Sequence, residues 1–581
     1  MRMVSRTSRV GHHFFHIPGG ELMGAQIIHA REDWECRKKE YKTRMAKAKA
    51  LTEGGKGKIV EPSRAVALLE TIIRPGDRVA LEGNNQKQAE FLADCLCNVN
   101  PAKVNGLHMV QSVIALPAHC EIFVRGIAKK VDFSFSGPQA AQVTRLVNES
   151  KMQIGEIHTY LELFARYFLD LTPQVALVVG VLADKDGNLY TGPNTEDTPA
   201  IVEATRFKQG IVVAQVEKVT SKLPRIDIPG GWVDFVIPTG KPCYVEPLFT
   251  RDPAQIRDVH VLTAMMVIKG IYAEYGLRSL NHGIGYATAA IELLLPTYAA
   301  RLGLKGKICT HWALNPHPTM IPAIEAGFVE SIHSFGSEVG TEDYVSARSD
   351  IFFVGPDGNL RSNRAFCQAV GHYAVDAFVG STLQIDRYGN SSTAVADRIA
   401  GFGGAPNMGC DSPGRRHSSD AWVKVGQESG MRAGLIGDMP RGRKLVVQIL
   451  ETRGPKGIQC FVDKLDAWEL MKRAGLKVPP VMIYGDAVTQ IVSEKGIAHL
   501  HKCATLAERE AAIKAVAGDT DLGKKAKADE TADLRRRKVV QLPEDLGIDV
   551  GQANTSLLAA RSMDDLVAWS GGLYKVPEQF R

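Results

Sequence analysis

Asp184-Lys185-Asp186-Gly187-Asn188 recurs further along the chain as Asp386-Arg387-Tyr388-Gly389-Asn390. Gly187 and Gly389 are 202 positions apart (389 − 187), and so are Gly83 and Gly285, each of which precedes an apolar run. Glycine is common here, at 55 residues, so one coincidence would carry little. Two at a single offset, each in the same local context, predict an internal duplication. A period this long does not describe a solenoid. It predicts two related domains facing each other, with a ligand site between them.

Each copy reads as α/β. Residues 76–81 pattern as a turn and a buried strand, and residues 89–96 as the apolar helix that follows. Residues 62–70 read as a capped helix before them. The short apolar runs 121–124, 176–182 and 210–216 alternate with helical stretches, which predicts a mainly parallel sheet. In the second copy Asn281-His282-Gly283-Ile284-Gly285 leads into a helix over 289–295, and a β-rich run follows at 445–450. Between the copies, 224–232 is bracketed by prolines and glycines and reads as a loop at a domain edge. The expected layout is an N-terminal arm (1–58), a first domain (59–245), a second (246–520) and a C-terminal extension (521–581).

The flanks are charged. Residues 31–50 are basic, free of Gly and Pro, and read as an exposed helix on a solvated arm. Lys524-Lys525-Ala526-Lys527 and Arg535-Arg536-Arg537-Lys538 read as a solvated segment, with docking of an acidic partner as the second reading. The 581 residues exceed what one core holds. Apolar residues make up 45% and charged residues 23%, a globular mix, and a net charge of +6 is too mild to argue for nucleic acid. No apolar run is long enough for a membrane span, and no signal peptide opens the chain, so a cytoplasmic protein is expected. Ten scattered cysteines fit reduced thiols, and the His12, His13, His16 cluster lacks the partners of a metal site. No metal is expected.

The densest glycine cluster is Gly401-Phe402-Gly403-Gly404-Ala405-Pro406-Asn407-Met408-Gly409, followed by Gly414-Arg415-Arg416-His417. Such a loop brings backbone close to a ligand, and its amides can hold an oxyanion. Gly401, Gly403 and Gly404 are the first choice for such donors, and Gly283 and Gly285 the second. Arg415 and Arg416 are guanidinium candidates for a carboxylate. His417, His282, Asn281, Asn315 and Asn407 are neutral or titratable donors beside the same motifs.

The Gly-Ile-Gly at 283–285, the Gly-x-Gly-Gly loop at 401–404 and the closing segment Gly496-Ile497-Ala498-His499-Leu500 resemble the coenzyme A transferase superfamily. The order and spacing of these pieces span about residues 60–520. Within it, the 401–409 loop with Asp411, Gly414-Arg415-Arg416-His417, Ala421-Trp422 and Pro316-His317-Pro318-Thr319 is similar to the alpha subunits of malonate decarboxylase. That resemblance implies a fold of two tandem coenzyme A transferase-like domains. It implies acyl exchange, in which malonate replaces acetate on a carrier protein. The reacting thiol would belong to the carrier's phosphoribosyl-dephospho-coenzyme A group, with no cofactor bound covalently to this chain. Decarboxylase subunits would be further partners, and self-association is compatible with it.

The family's nucleophilic glutamate is missing: 306–315 reads Gly-Lys-Ile-Cys-Thr-His-Trp-Ala-Leu-Asn, with Trp312 and Ala313 near its place. Glu325, Glu330 and Glu338, downstream, read as ordinary helix or surface acids. The expectation is therefore exchange through a mixed anhydride, without an acyl-enzyme. Competing readings are a transferase or thioester hydrolase acting on free coenzyme A, a citrate lyase alpha-type transferase, and a scaffold subunit with a decayed site.

Overall fold

The computed structural model describes residues 29–581 apart from 84–86, 246–250, 316, 356–357, 359, 361–362 and 431–440. The His12, His13, His16 cluster lies outside that range.

The first copy contains β1 (Arg78–Leu81), β2 (Leu107–Val113), β3 (Ala128–Phe135), β4 (Gln153–Ile157), β5 (Val175–Val179), β6 (Leu182–Ala183), β7 (Leu189–Tyr190), β8 (Ile211–Val216), β9 (Lys218–Val219) and β10 (Phe235–Pro238). Seven of them form one sheet in the order β10-β8-β5-β1-β2-β3-β4, parallel throughout. β5 and β8 are buried at every residue, as strands covered by helices on both faces must be. That is why they read as continuous Val/Ile/Leu runs.

The second copy contains β11 (Ser279–His282), β12 (His311–Leu314), β13 (Ser331–Ser334), β14 (Ala377–Ser381), β15 (Gln384–Asp386), β16 (Ser391–Ser392), β17 (Ala394–Val395), β18 (Arg398–Ile399), β19 (Leu445–Ile449), β20 (Phe461–Val462), β21 (Gln490–Ser493), β22 (Gly496–His499) and β23 (Val540–Gln541). Its eight-stranded sheet runs β23-β22-β21-β19-β14-β11-β12-β13. Strip the antiparallel β22 and β23, and this is the order of the first sheet without its last strand. The small sheets match as well. β6 pairs antiparallel with β7 and parallel with β9, just as β15 pairs with β16 and β20.

The repeated pentapeptide shows why the two copies agree so closely. Asp184 Oδ1 accepts from the amides of Asp186 and Asn188, and Asp386 Oδ1 from those of Tyr388 and Asn390. Gly187 and Gly389 sit at φ 84° and 86°, where a side chain would be strained. Each asparagine then accepts from a distant glycine amide, Gly230 in one copy and Gly485 in the other. Asp386→Ala is expected to cost about 1–3 kcal/mol. Asp184→Ala should cost less, because Asp184 is half-buried and Asp386 buried. Urea midpoints of the two variants would show the ranking.

Two expectations change, and the C-terminal residues add to the core. Residues 121–124 lie in the helix Pro117–Val124, where Pro117 pre-sets the first turn and Ile122 and Phe123 pack inward. The arm is docked rather than solvated: in the helix His29–Ala48, Arg44 pairs with Asp77, Tyr41 donates to Asp234, and Ala48 is fully buried. The C-terminal residues are part of the second core, to which Leu546, Ile548, Leu558, Leu566 and Tyr574 all contribute. Arg535, Arg536 and Arg537 are spent on Asp545, Asp533 and Glu508 within the chain. Among the described residues, no helix is long and apolar enough to cross a membrane.

Candidate functional site

The glycine loop joins the two halves. Phe402 and Gly403 amides both donate to Ser134 O at the end of β3, and Ser136 N donates to Ala400 O. Gly401 is at φ 75°, and a Cβ there would lie 2.5 Å from Ser134 O. Gly403 is at φ 60°; its carbonyl accepts from Tyr160 N, and a Cβ would lie 3.6 Å from the Tyr160 ring. A Cβ on Gly404 would meet the Gln368 amide at 2.8 Å. The loop therefore spends two of its amides on the first half, and its glycines allow close approach between the halves.

Outside this junction lies a cleft of about 910 Å³. Thr159, Glu162 and Arg166 line one wall, Val481 to Tyr484 the other, and Phe402, Pro406 and Cys410 the floor. Tyr160, Gly403 and Asn407 are chain neighbours of these lining residues, and Asn407 reaches the helix Arg364–Tyr373 through Gln368. Asn407 Nδ2 donates to Gln368 O, and Asn407 Oδ1 accepts from Thr159.

Linked to the glycine loop through Tyr160 is a buried polar centre. The Arg364 guanidinium lies 5.0 Å from the Tyr160 ring centroid and donates through Nε to Glu196 Oε2 at 2.7 Å. Its Nε is 3.3 Å from Asp197 Oδ1. Thr198 donates to Glu82 Oε1 at 2.5 Å, and Lys87 sits 3.3 Å from the same oxygen. Asn194 Oδ1 accepts from Ser337 N at 2.5 Å, which ties the cluster to the end of β13. Three carboxylates thus face two cations in the interior. Burial pushes the Glu196 carboxyl up to about 7 and that of Asp197 up to about 6, with Arg364 pulling each back. Glu196 Oε1, both Asp197 oxygens, Gln368 Oε1 and Ser337 Oγ are buried without a hydrogen-bond partner among the described residues. Buried polar atoms left this way cluster where a ligand completes the network.

A second buried hub adjoins the ends of β11 and β12. Glu292 Oε1 accepts from His282 Nδ1 at 2.9 Å and from His317 Nδ1 at 3.0 Å, while Oε2 accepts from Thr319. Burial alone would raise the Glu292 carboxyl; His317 and His282 outweigh it and hold it at about 2. With Nδ1 donating, His282 Nε2 accepts from Tyr272 at 2.6 Å, and His317 Nε2 is buried without a hydrogen-bond partner among the described residues. Asn315 Oδ1, at the end of β12, is likewise without a hydrogen-bond partner among the described residues. Tyr272 lies in a π-helical stretch, Ile268–Ala273, which rotates it onto His282.

The remaining expected site residues fall as follows. Asn281 Nδ2 donates to Ala313 O and ties β11 to β12. The Gly283 amide is spent on Val379 O, and a Cβ on Gly285 would lie 2.7 Å from Ser381 Oγ, so both serve close packing. Arg415 is buried on Asp376 Oδ1 at 2.5 Å and Val375 O at 2.8 Å. Arg416 and His417 are exposed, with Arg416 donating to Pro413 O and Arg415 O. Arg415 thus lies in the interior and Arg416 at the surface. Arg416→Ala should leave the affinity for a carboxylate substrate within about twofold, as measured by KM. Glu338 is no surface acid: it is fully buried against Arg251. Glu325, by contrast, pairs with Arg348, and Glu330 is exposed. Sequence reading missed Glu196, Arg364, Glu292 and Gln368. Only Glu292 carried a signal, as one acid inside the apolar helix Tyr286–Leu294.

A family model described as "Malonate decarboxylase, alpha subunit, transporter" matches residues 33–581. A relative from Malonomonas rubra, "Acetyl-S-ACP:malonate ACP transferase", is 61% identical over 94% of this chain and 98% of its own. A crystal structure of a Pseudomonas malonate decarboxylase hetero-tetramer in complex with malonate contains a chain 53% identical, with a TM-score of 0.90 over 94% of this chain and 99% of that one. At the level of the fold alone, the alfa subunit of citrate lyase from Streptococcus mutans aligns with a TM-score of 0.56 at 15% identity, over 79% of this chain and 82% of that one. With a match that runs from the arm to the last residue, this chain belongs to the malonate decarboxylase alpha-subunit family.

Proposed function

We infer that this chain is an acyltransferase that exchanges acetate for malonate on the thiol of an acyl carrier protein. The observation that carries the inference is the end-to-end relative at 61% identity, named for that reaction. The buried polar centre where the two halves meet, together with the cleft over Phe402 and Pro406, suits the reaction. The chain would act within a multi-subunit malonate decarboxylase, whose other subunits decarboxylate the malonyl thioester. The carrier's thiol, on a phosphoribosyl-dephospho-coenzyme A arm, would enter by the cleft over Phe402 and Pro406.

The chemistry needs no enzyme nucleophile. A malonate carboxylate attacks the acetyl thioester, the carrier thiolate leaves, and a mixed acetic–malonic anhydride remains. The thiolate then attacks the malonyl carbonyl and acetate departs. Holding carboxylate and thioester in near-attack geometry is worth about 7–11 kcal/mol. Each well-placed donor to the two successive oxyanions adds about 3 kcal/mol. Because the Phe402, Gly403 and Gly283 amides are already spent, the donors we assign are the Gly404 amide and the side chains around it, Gln368 and Asn407.

The test is incubation of the purified chain with acetylated carrier protein and labelled malonate. Label on the carrier, with acetate released in equal amount, is the expected result. Transfer to free coenzyme A in place of the carrier would favour the coenzyme A transferase reading. A hydroxylamine-sensitive acyl group on the protein itself would rule out the mixed-anhydride route.

A further inference from the structure

We propose that Arg364 is the cation that receives the second carboxylate of malonate, and that Glu196 is the in-chain carboxylate occupying it until substrate arrives. The proposal rests on the transferase reading and names the selecting residue of that same site.

Malonate differs from acetate by one carboxylate, so a site that prefers malonate needs a cation acetate never touches. Other buried cations are fixed elsewhere. Arg415 is held by Asp376 and Val375 O, Lys444 donates to Gly371 O, Arg44 is on Asp77, and Arg509 lies among the carbonyls of Gly485, Val488 and Leu500. Lys87 is held inside the first half by Thr198 and Glu82. Arg364 alone among these comes from the second half, grips carboxylates of the first, and stacks on the tyrosine that touches the glycine loop.

The carboxylate it grips is held in a strained way. Glu196 is a non-glycine residue at φ 50°, in the left-handed region, and its backbone carbonyl also accepts from Arg364 N. One carboxylate oxygen is bound to Arg364, and the other is buried against Gly336, where any side chain would collide with it, and has no hydrogen-bond partner among the described residues. A left-handed glutamate with half its carboxylate unsatisfied is held by its partner more than by its own preferences. Glu82, Lys87 and Asp197 face the same space. Since burial lets Glu196 take up a proton near neutrality, it can give up the guanidinium when a substrate carboxylate arrives.

The experiment measures two exchanges on the acetylated carrier within the whole complex. One is malonate for acetate; the other is labelled acetate for acetate, which needs no second carboxylate. Arg364→Gln and Arg364→Lys are expected to raise the KM for malonate at least 30-fold and to leave acetate exchange within about threefold. Glu196→Gln, which removes the competing charge at nearly constant shape, is expected to lower the malonate KM severalfold. Parallel loss of both exchanges in the soluble Arg364 variants would make Arg364 a purely structural link and overturn the proposal. An unchanged or raised malonate KM in Glu196→Gln would overturn it too. Failure of the unaltered complex in both exchanges would instead count against the transferase reading.

Discussion

Gly401→Val is expected to destabilise the chain by about 2–5 kcal/mol and to abolish transfer as a consequence. A left-handed backbone costs an L-residue about 1–2 kcal/mol, and Gly401 is at φ 75°. Its Cβ would also stand 2.5 Å from Ser134 O and 3.0 Å from Phe135 Cα. Neither is a flexible side-chain tip, so backbone must move, at about 1–3 kcal/mol. Moving it loosens the two bonds that Phe402 and Gly403 make to Ser134 O, which tie the halves together. Gly414→Ala is the control: it lies in the same segment but is exposed, with its nearest atoms at 3.8 Å. Urea unfolding followed by tryptophan fluorescence should separate the two variants clearly. Equal midpoints would mean that the junction does not depend on this glycine.

The second large effect is expected at Glu292. Its carboxyl is held at about 2, below the ordinary glutamate range, so the folded state favours the ionised form. A depressed acid contributes stability that is fully present above the unfolded-state value near 4.5. That contribution drains away as pH falls toward 2. The difference corresponds to on the order of 3 kcal/mol at neutral pH. Glu292→Gln should lose about that much at pH 7, and its stability curve should approach the unaltered protein's between pH 4 and pH 2. Glu292→Ala should lose more, because His282, His317 and Thr319 would all keep a buried donor with no acceptor. Urea titrations at pH 7 and pH 3 test this. A gap between the unaltered protein and Glu292→Gln that does not shrink at pH 3 would refute it.

The duplication was legible because its marker is local chemistry. An aspartate that caps its own turn, a left-handed glycine and an asparagine write the same five positions wherever that turn is needed. Apolar runs such as 176–182 and 210–216 likewise announced buried parallel strands. Residues 121–124 misled because four apolar-rich positions suit a helix face as well as a strand; Pro117 decided the matter. The docked arm could not be read, since a basic surface pattern does not say whether the acid it meets lies in solvent or elsewhere in the chain. The same limit applies to the site. Arg415 and Arg364 look alike in sequence, and only tertiary packing sends one to Asp376 and the other to Glu196. The glycine loop stands out in the sequence, yet two of its amides serve the contact between the halves.

The first half's core is completed by residues that arrive late. Ala394, Ile399 and Leu470 belong to it, although the last strand of its sheet ends at Pro238. On the ribosome, then, the nascent first sheet has to wait for a distant part of the chain. At about 5–20 residues per second, that wait is on the order of ten seconds or more. During it, the helix Ala140–Asn148, which later meets Arg398–Ile399, keeps an uncovered apolar face. A chain that stalls or is truncated near residue 245 would present that face to chaperones and proteases. Translation pauses before residue 399 should therefore reduce soluble yield more than pauses after it.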